Sequence, residues 1–202
     1  MVSRLRCFIG GILFCFFTSS FALHATENDD LVKAMMEVYA EELAANPQDY
    51  RTYYSRAMAY FGQGDMKKAL SDIDNAIKYF PRKEKDDLAQ AYLLRAKILS
   101  ERGETKSALT DLNSALRLVP NHRLALKDRG DLLCRLGQYD MAKIDYNHLL
   151  RMDTRSQSAF MGLARVEAHT GQPVRAKDLL AQAVNLSPKD PKIYLERSEI
   201  YK

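Results

Sequence analysis

Hydrophobic and polar positions repeat along this chain from residue 50 onwards, and the repeat predicts a series of paired helices. Four segments align with one another over residues 50–83, 89–122, 123–156 and 157–190, so that successive segments begin 39, 34 and 34 residues apart. Within each segment, large apolar side chains recur at the spacing of one helical face. Because a period of this length indicates a repeat array, the chain is predicted to stack similar units along a line.

Each segment carries the same markers in the same order. A large residue is followed four positions later by a small one, then by a glycine, an alanine and, in three segments, a closing proline. The glycines suit helix ends that turn left-handed, and proline cannot continue a helix. Each segment is therefore predicted to be a helix, a glycine turn and a second helix. In the order given, the markers are Tyr53, Tyr92, Leu126 and Phe160; Ala57, Ala96, Gly130 and Ala164; Gly64, Gly103, Gly137 and Gly171; Ala69, Ala108, Ala142 and Ala176; and Pro81, Pro120 and Pro188.

This pattern resembles the tetratricopeptide repeat, a helix–turn–helix unit of about 34 residues. The resemblance covers residues 50–190, and residues 191–202 look like the first helix of a fifth unit. It implies an all-α fold, a right-handed superhelical solenoid of antiparallel helix pairs with about four units and capping helices. Residues 26–49 are then the N-terminal capping helix, and residues 50–202 form the repeat domain.

Two places depart from the repeat. Five additional residues precede the second unit, within the polar stretch from Arg82 to Leu88. We predict a solvated loop there, with Asp86 or Asp87 placed to cap an early start of the next helix. Glu167 is the second departure, because it stands where the other units carry an apolar residue.

The resemblance also implies a binding surface, because in this family the first helix of every unit lines the concave wall. Wall positions are apolar in the first unit and more basic further along. We therefore expect a groove for an extended or helical peptide that carries apolar anchors and at least one acidic group. Alternatively, Tyr54, Met58 and Phe61 pack among themselves or under the N-terminal cap. The predicted wall residues are Arg51, Tyr54, Met58, Phe61, Lys97, Lys127, Asp131 and Arg165.

The first 25 residues have a different composition from the rest of the chain. Arg4 and Arg6 precede an apolar run from Cys7 to Phe17, and small and polar residues follow the run. This order is typical of a secretory signal peptide, so residues 1–25 are predicted to direct export to the periplasm or another secreted location. The alternative is an uncleaved membrane anchor, since extension of the run to Leu23 approaches the length of about 20 residues that spans a bilayer.

Charge and motifs argue against catalysis and against nucleic-acid binding. The chain has 30 Lys and Arg residues against 26 Asp and Glu residues, an excess too small and too interleaved for a phosphate-binding stripe. It contains no histidine pair at metal-ligand spacing, no Cys–His partnership and no glycine-rich phosphate loop. We therefore predict no enzymatic activity, no cofactor, no metal and no small-molecule substrate.

The predicted function is that of an exported, non-catalytic scaffold or adaptor that binds a protein or peptide in the groove. The alternative is a structural subunit of an envelope or secretion assembly that associates with itself through its C-terminal helix. Ile200 and Tyr201 would form the contacting edge in that case, because they occupy positions that normally pack against a second helix.

Overall fold

The computed structural model describes residues 31–200, with side-chain environments up to residue 198. Ten helices follow one another in these residues, and the same residues contain no β-strand. The all-α prediction is therefore confirmed. The helices are α1 at residues 31–45, α2 at Tyr50–Gly62, α3 at Met66–Tyr79, α4 at Lys85–Glu101, α5 at Thr105–Leu118, α6 at Arg123–Arg135, α7 at Tyr139–Met152, α8 at Gln157–His169, α9 at Pro173–Leu186 and α10 at Pro191–Ile200.

Helices that are adjacent in sequence pack as pairs, and the pairs stack in chain order. The pairs are α2 with α3, α4 with α5, α6 with α7, and α8 with α9, and the second helix of each pair contacts the first helix of the next. First helices also contact one another, as α6 contacts α8 and α8 contacts α10. This arrangement is a repeat solenoid, in which each unit covers the apolar face of its neighbours.

Left-handed glycines form the turn inside each pair. Gly64, Gly103, Gly137 and Gly171 have φ values between +71° and +79°, and no other described residue has a positive φ. The backbone N–H of the residue after each glycine donates to the carbonyl oxygen five positions earlier, at 2.8 to 2.9 Å. These bonds satisfy carbonyl groups that the helix end would leave unpaired. The predicted glycine turns are confirmed.

The repeated small positions make close packing of the helices possible. Ala69, Ala108, Ala142 and Ala176 are all fully buried in the second helices. The largest apolar cluster extends from Ala89 of α4 to Val166 of α8, so the core continues across three units. Each helix therefore gains its burial from neighbours along the stack, as the repeat predicts.

A buried ion pair that the sequence analysis missed joins the two helices of each of the first three units. An arginine on the first helix donates two hydrogen bonds, of 2.6 to 2.8 Å, to an aspartate 16 residues later on the second helix. The aspartates are buried. In the fourth unit Leu163 and Leu179 occupy the two equivalent positions and pack into the apolar core. The pairs are Arg56 with Asp72, Arg95 with Asp111, and Arg129 with Asp145.

The polar stretch before the second unit is divided between a loop and a helix: residues 82–84 are not helical, as the loop prediction has it, and residues 85–88 form the early start of α4. Helix α4 begins at Lys85 and has 17 residues, whereas α2, α6 and α8 have 13 each. Glu84 occupies the N-cap position without a side-chain cap hydrogen bond, and Asp86 and Asp87 lie in the first helical turn. The early helical turn is favoured because acidic side chains in a first turn interact favourably with the helix dipole.

Two ion pairs compensate the buried charge of Glu167. Its side chain is buried, and its carboxylate lies 2.8 Å from Lys143 Nζ of the preceding unit and 3.5 Å from Arg175 Nε of its own unit. The ion pairs allow an acidic residue to occupy a position that is apolar in the other units, because a buried carboxylate requires a charged partner.

The two ends of the chain are described in part. Leu43 of α1 is buried, and Thr52 Oγ1 of α2 donates to Glu42 Oε2 of α1 at 2.8 Å, so α1 packs on the first unit. Among residues 31–200, no helix is both long and apolar enough to cross a membrane. The predicted signal peptide at residues 1–25, the Ile200 side chain and Tyr201 lie outside the part whose side chains are described.

Candidate protein-binding groove

Three cavities open between the first helices of successive units. We call the surface that they share the first-helix face. The N-terminal cavity, of about 300 Å³, lies between α2 and α4. The central cavity, of about 280 Å³, is lined mainly by α4 and α6, with Phe61 of α2 and two residues of α5. The C-terminal cavity, of about 650 Å³, is lined mainly by α6, α8 and α10. First helices of the whole array thus contribute to one surface.

Aromatic rings form the walls of the N-terminal cavity. Tyr50 and Tyr54 of α2 face Phe80, which follows α3, and the Tyr50 and Phe80 ring centroids are 4.2 Å apart. The Tyr50 hydroxyl donates to Glu84 Oε2 at 2.7 Å. Asp87 of α4 also lines this cavity. Burial, together with the Asp87 charge, raises the pKa of Tyr54, so its hydroxyl stays protonated at neutral pH.

The central cavity combines an aromatic ring with charged groups. Phe61 lines it together with Lys97, Asp128 and Arg135. Arg135 is occupied by a hydrogen bond of 2.8 Å to Ser100 Oγ. Asp128 Oδ2 is buried and has no hydrogen-bond partner among the described residues, and Lys97 Nζ lies 3.9 Å away. The charge of Lys97 therefore compensates this buried carboxylate in part.

Charged side chains on the wall of the C-terminal cavity are bound to one another. Asp131 accepts hydrogen bonds from Lys127 Nζ at 2.8 Å and from Arg165 at 3.0 Å. Arg165 also donates two bonds, of 2.7 and 2.6 Å, to Glu196 of α10. Burial by itself would raise the pKa of Asp131, but the bond from Lys127 and the nearby positive charges outweigh it and lower that pKa. This network ties α6, α8 and α10 together.

Tyr146 connects this network to the core. Its hydroxyl donates to Asp131 Oδ1 at 2.7 Å, and its ring is fully buried. Cys134 Sγ lies 3.9 Å from the same hydroxyl, and burial raises the pKa of this thiol. The thiol is therefore protonated and unreactive at neutral pH.

Seven of the eight predicted wall residues line these cavities. Arg51 and Tyr54 line the N-terminal cavity, while Met58 is half-exposed and lines none of the three. Tyr54 and Phe61 also pack in part against the apolar cluster of the first and second units. The other predicted residues lie in the central cavity (Phe61, Lys97 and Asp131) and in the C-terminal cavity (Lys127, Asp131 and Arg165).

The sequence analysis did not identify several lining residues. Tyr50 and Phe80 were assigned to the start and end of a unit, and Asp87 to a loop, so their convergence at one cavity needed the structure. Glu196 was missed because its partner Arg165 lies 31 residues earlier. Within residues 31–200, no group of three or more His, Cys, Asp or Glu side chains is arranged to hold a metal ion.

The profile of the family described as Tetratricopeptide repeat matches residues 36–87, 54–123, 93–142 and 127–191. The chain belongs to the tetratricopeptide-repeat family. A comparison with curated protein sequences gives no match.

Solved structures of other tetratricopeptide-repeat proteins share the fold. A tetratricopeptide repeat protein from Parabacteroides merdae is 27% identical, with 87% of this chain and 68% of that chain covered and a TM-score of 0.75. YrrB, described as a protein with an unusual peptide-binding site, is 17% identical over 85% of this chain and 86% of its own, with a TM-score of 0.70. MamA is 18% identical over 76% of this chain and 87% of its own, with a TM-score of 0.67.

Proposed function

We propose that this tetratricopeptide-repeat protein is a non-catalytic scaffold that binds a peptide segment of a partner protein along its first-helix face. The observation that carries the proposal is the alignment of three cavities on first helices of successive units. The N-terminal and central cavities combine apolar surface with a few polar groups, as ligand sites do, whereas the C-terminal cavity is lined mainly by charged and polar residues. YrrB, with the same fold, is itself described as having a peptide-binding site.

The two halves of the face contribute differently to this function. In the C-terminal half, Lys127, Asp131, Arg165 and Glu196 bind one another, and the network holds the units in a fixed relative position. In the N-terminal half, aromatic rings are accessible beside polar groups. We therefore place the main anchor of the partner in the N-terminal and central cavities, since aromatic side chains give large contact areas at low entropic cost.

Site-specific photo-crosslinking tests the position of the binding surface. Met58 on α2 and Ile144 on α7 are both exposed apolar residues, at 50% and 63% exposure, but only Met58 belongs to a first helix. A photoreactive phenylalanine analogue at position 58 or 97 is expected to crosslink a partner in the native compartment, and the same analogue at position 144 is not. Crosslinks obtained only at position 144 would place binding on the second helices.

We also propose that the protein is exported, with residues 1–25 as the signal peptide. The support is the order of basic, apolar and small residues in that segment. Fusion of residues 1–30 to alkaline phosphatase, an enzyme active only outside the cytoplasm, tests this proposal. An active fusion is expected, and the mass of the exported protein shows whether the segment is removed or remains as an anchor. An inactive fusion would contradict export.

Self-association through α10 is the second candidate function. Tyr194 and Leu195 of this helix are both exposed, at 46% and 64%. Light scattering on the protein and on Leu195→Ser measures the effect. A dimer that Leu195→Ser converts to a monomer would support a structural subunit, whereas a monomer for both would exclude it.

A further inference from the structure

The N-terminal cavity lies where the period of the repeat is broken. Helix α4 is longer than the other first helices, and the additional turn at its start contributes Asp87 to the cavity. Tyr50, Tyr54 and Phe80 contribute aromatic rings, and the rest of the lining is Arg51, Ser55 and Gln90. An aromatic enclosure with a carboxylate at its edge is therefore specific to the junction between the first and second units.

Polar side chains without a partner among the described residues line this cavity, and Asp87 is the charged one. The Asp87 carboxylate and the Tyr54 hydroxyl make no hydrogen bond or ion pair with any residue in the described range 31–198. The C-terminal cavity differs, because each of its carboxylates already has a partner: Asp131 and Glu196 pair with Lys127 or Arg165, Asp153 pairs with Arg123, and Asp190 accepts from Gln157. What the N-terminal cavity lacks is a cation opposite Asp87.

The surroundings of the cavity favour a cation over an anion. Its one basic lining residue, Arg51, stacks over the Tyr50 ring at 4.8 Å and lies 3.7 Å from Glu84, so its charge is already compensated. An anionic group would meet the Asp87 carboxylate. A cation would meet that carboxylate and the negative faces of the aromatic rings, both of which attract it.

The two lysines predicted on the wall near the central cavity lie beside a carboxylate. Asp128 Oδ2 is buried there without a hydrogen-bond partner among the described residues. The cations on which an acidic partner would depend, Lys97 and Lys127, both lie within 4 Å of Asp128 carboxylate oxygens. Asp128 thus balances part of the positive charge of Lys97 and Lys127.

We propose that the N-terminal cavity binds a Lys or Arg side chain of the partner peptide, with the alkyl part between the rings and the charge against Asp87. This proposal rests on peptide binding at the first-helix face. An apolar side chain fits less well, because it would cover the Asp87 carboxylate without supplying a charge. The partner segment is accordingly basic and apolar.

Selection from a library of random dodecapeptides on the immobilised protein tests the proposal. Retained peptides are expected to be enriched in Lys and Arg beside apolar residues, relative to the starting library. One retained peptide is then synthesised with its basic residue or with norleucine, which keeps the alkyl chain and removes the charge. Fluorescence anisotropy is expected to show about tenfold weaker binding of the norleucine peptide to the wild type.

Asp86 provides a matched control for Asp87. Both aspartates lie in the first turn of α4, but only Asp87 lines the cavity. Asp87→Asn is expected to weaken binding of the basic peptide about tenfold and to abolish the preference over norleucine, while Asp86→Asn leaves both unchanged. Thermal melting of the two variants checks that the fold is retained.

The outcomes separate this inference from the function on which it rests. If the wild type retains no peptide, peptide binding itself is overturned. If it retains peptides without basic enrichment, or if Asp86→Asn and Asp87→Asn have equal effects, only the cation site is overturned.

Discussion

The ring of Tyr146 occupies the space that a side chain at Gly162 would need. A Cβ atom built on Gly162 would lie 2.3 Å from Tyr146 Cε1 and Cζ, and one built on Gly130 would lie 2.8 Å from the same atoms. Gly130 belongs to the unit of Tyr146, and Gly162 to the next one. At the position of Tyr146 the other units carry Ile73, Leu112 and Leu180, which are smaller. The tyrosine, whose hydroxyl reaches Asp131, is thus accommodated by glycines on two helices.

Gly162→Ala is expected to lower the free energy of unfolding by about 2 kcal/mol, because the added methyl group overpacks the Tyr146 site. Alanine favours a helix over glycine by about 1 kcal/mol, so overpacking must exceed that gain. Urea denaturation measures the change. Gly62→Ala is the control, since a Cβ at Gly62 would meet nothing within 4 Å, and we expect that variant to be as stable as the wild type or more stable. A loss that Tyr146→Leu does not reduce would contradict the overpacking explanation.

Asp145→Leu is expected to lower the free energy of unfolding by about 3 kcal/mol, because it leaves the largely buried Arg129 guanidinium without its carboxylate. The double variant Arg129→Leu with Asp145→Leu reproduces the apolar combination of Leu163 and Leu179 in the fourth unit. We expect the double variant to recover most of the lost stability. Chemical denaturation of the two single variants and the double variant measures the coupling. Additive losses would show that the ion pair and the leucine pair are not interchangeable.

Gly137→Val is expected to cost about 1–2 kcal/mol of unfolding free energy, since φ at this residue is +71°. A Cβ at Gly137 would meet nothing within 4 Å, so the cost arises from the backbone conformation alone. Gly137→Asn should cost less, because asparagine tolerates the left-handed region better than valine. Equal melting temperatures for the wild type and both variants would contradict this explanation.

The contribution of Asp131 to stability is expected to depend on pH. Because its pKa is lowered in the folded state, folding favours the ionised carboxylate. The resulting stabilisation is present above the unfolded pKa of about 3.9 and is lost as pH falls through the lower folded pKa. The difference in unfolding free energy between the wild type and Asp131→Asn should therefore be largest near neutral pH and shrink below about pH 4. Denaturation at a series of pH values measures it, and a difference independent of pH would contradict the assignment.

The helices and turns were predictable because each is specified within a single unit. A glycine such as Gly137 and an alanine such as Ala142 recur at fixed places, and the structure gives the first a positive φ and buries the second. Because four units share one pattern, the helix–turn–helix prediction for each unit supported the predictions for the others. The point in the insertion at which the loop ends and the helix begins was not predictable, since its polar residues suit a loop as well as an exposed helical turn.

The charge pattern of the candidate site was not predictable in the same way. Asp131 and Arg165 were both expected on the wall, but their mutual bond and the bond to Glu196 depend on the rotation between units. The pair of Arg129 and Asp145 recurs 16 residues apart in three units and was visible in the sequence. It was missed because the sequence comparison followed apolar and small positions.

The additional turn of α4 has a consequence for how this architecture can vary. Neighbouring units of a solenoid interact locally, so a helix can grow at its exposed end without displacing the residues that pack further along. Here the growth places an acidic side chain at an aromatic junction and leaves the 34-residue spacing of the later units intact. The side chains that contact a partner can thus change at one junction between units while the other junctions keep their geometry.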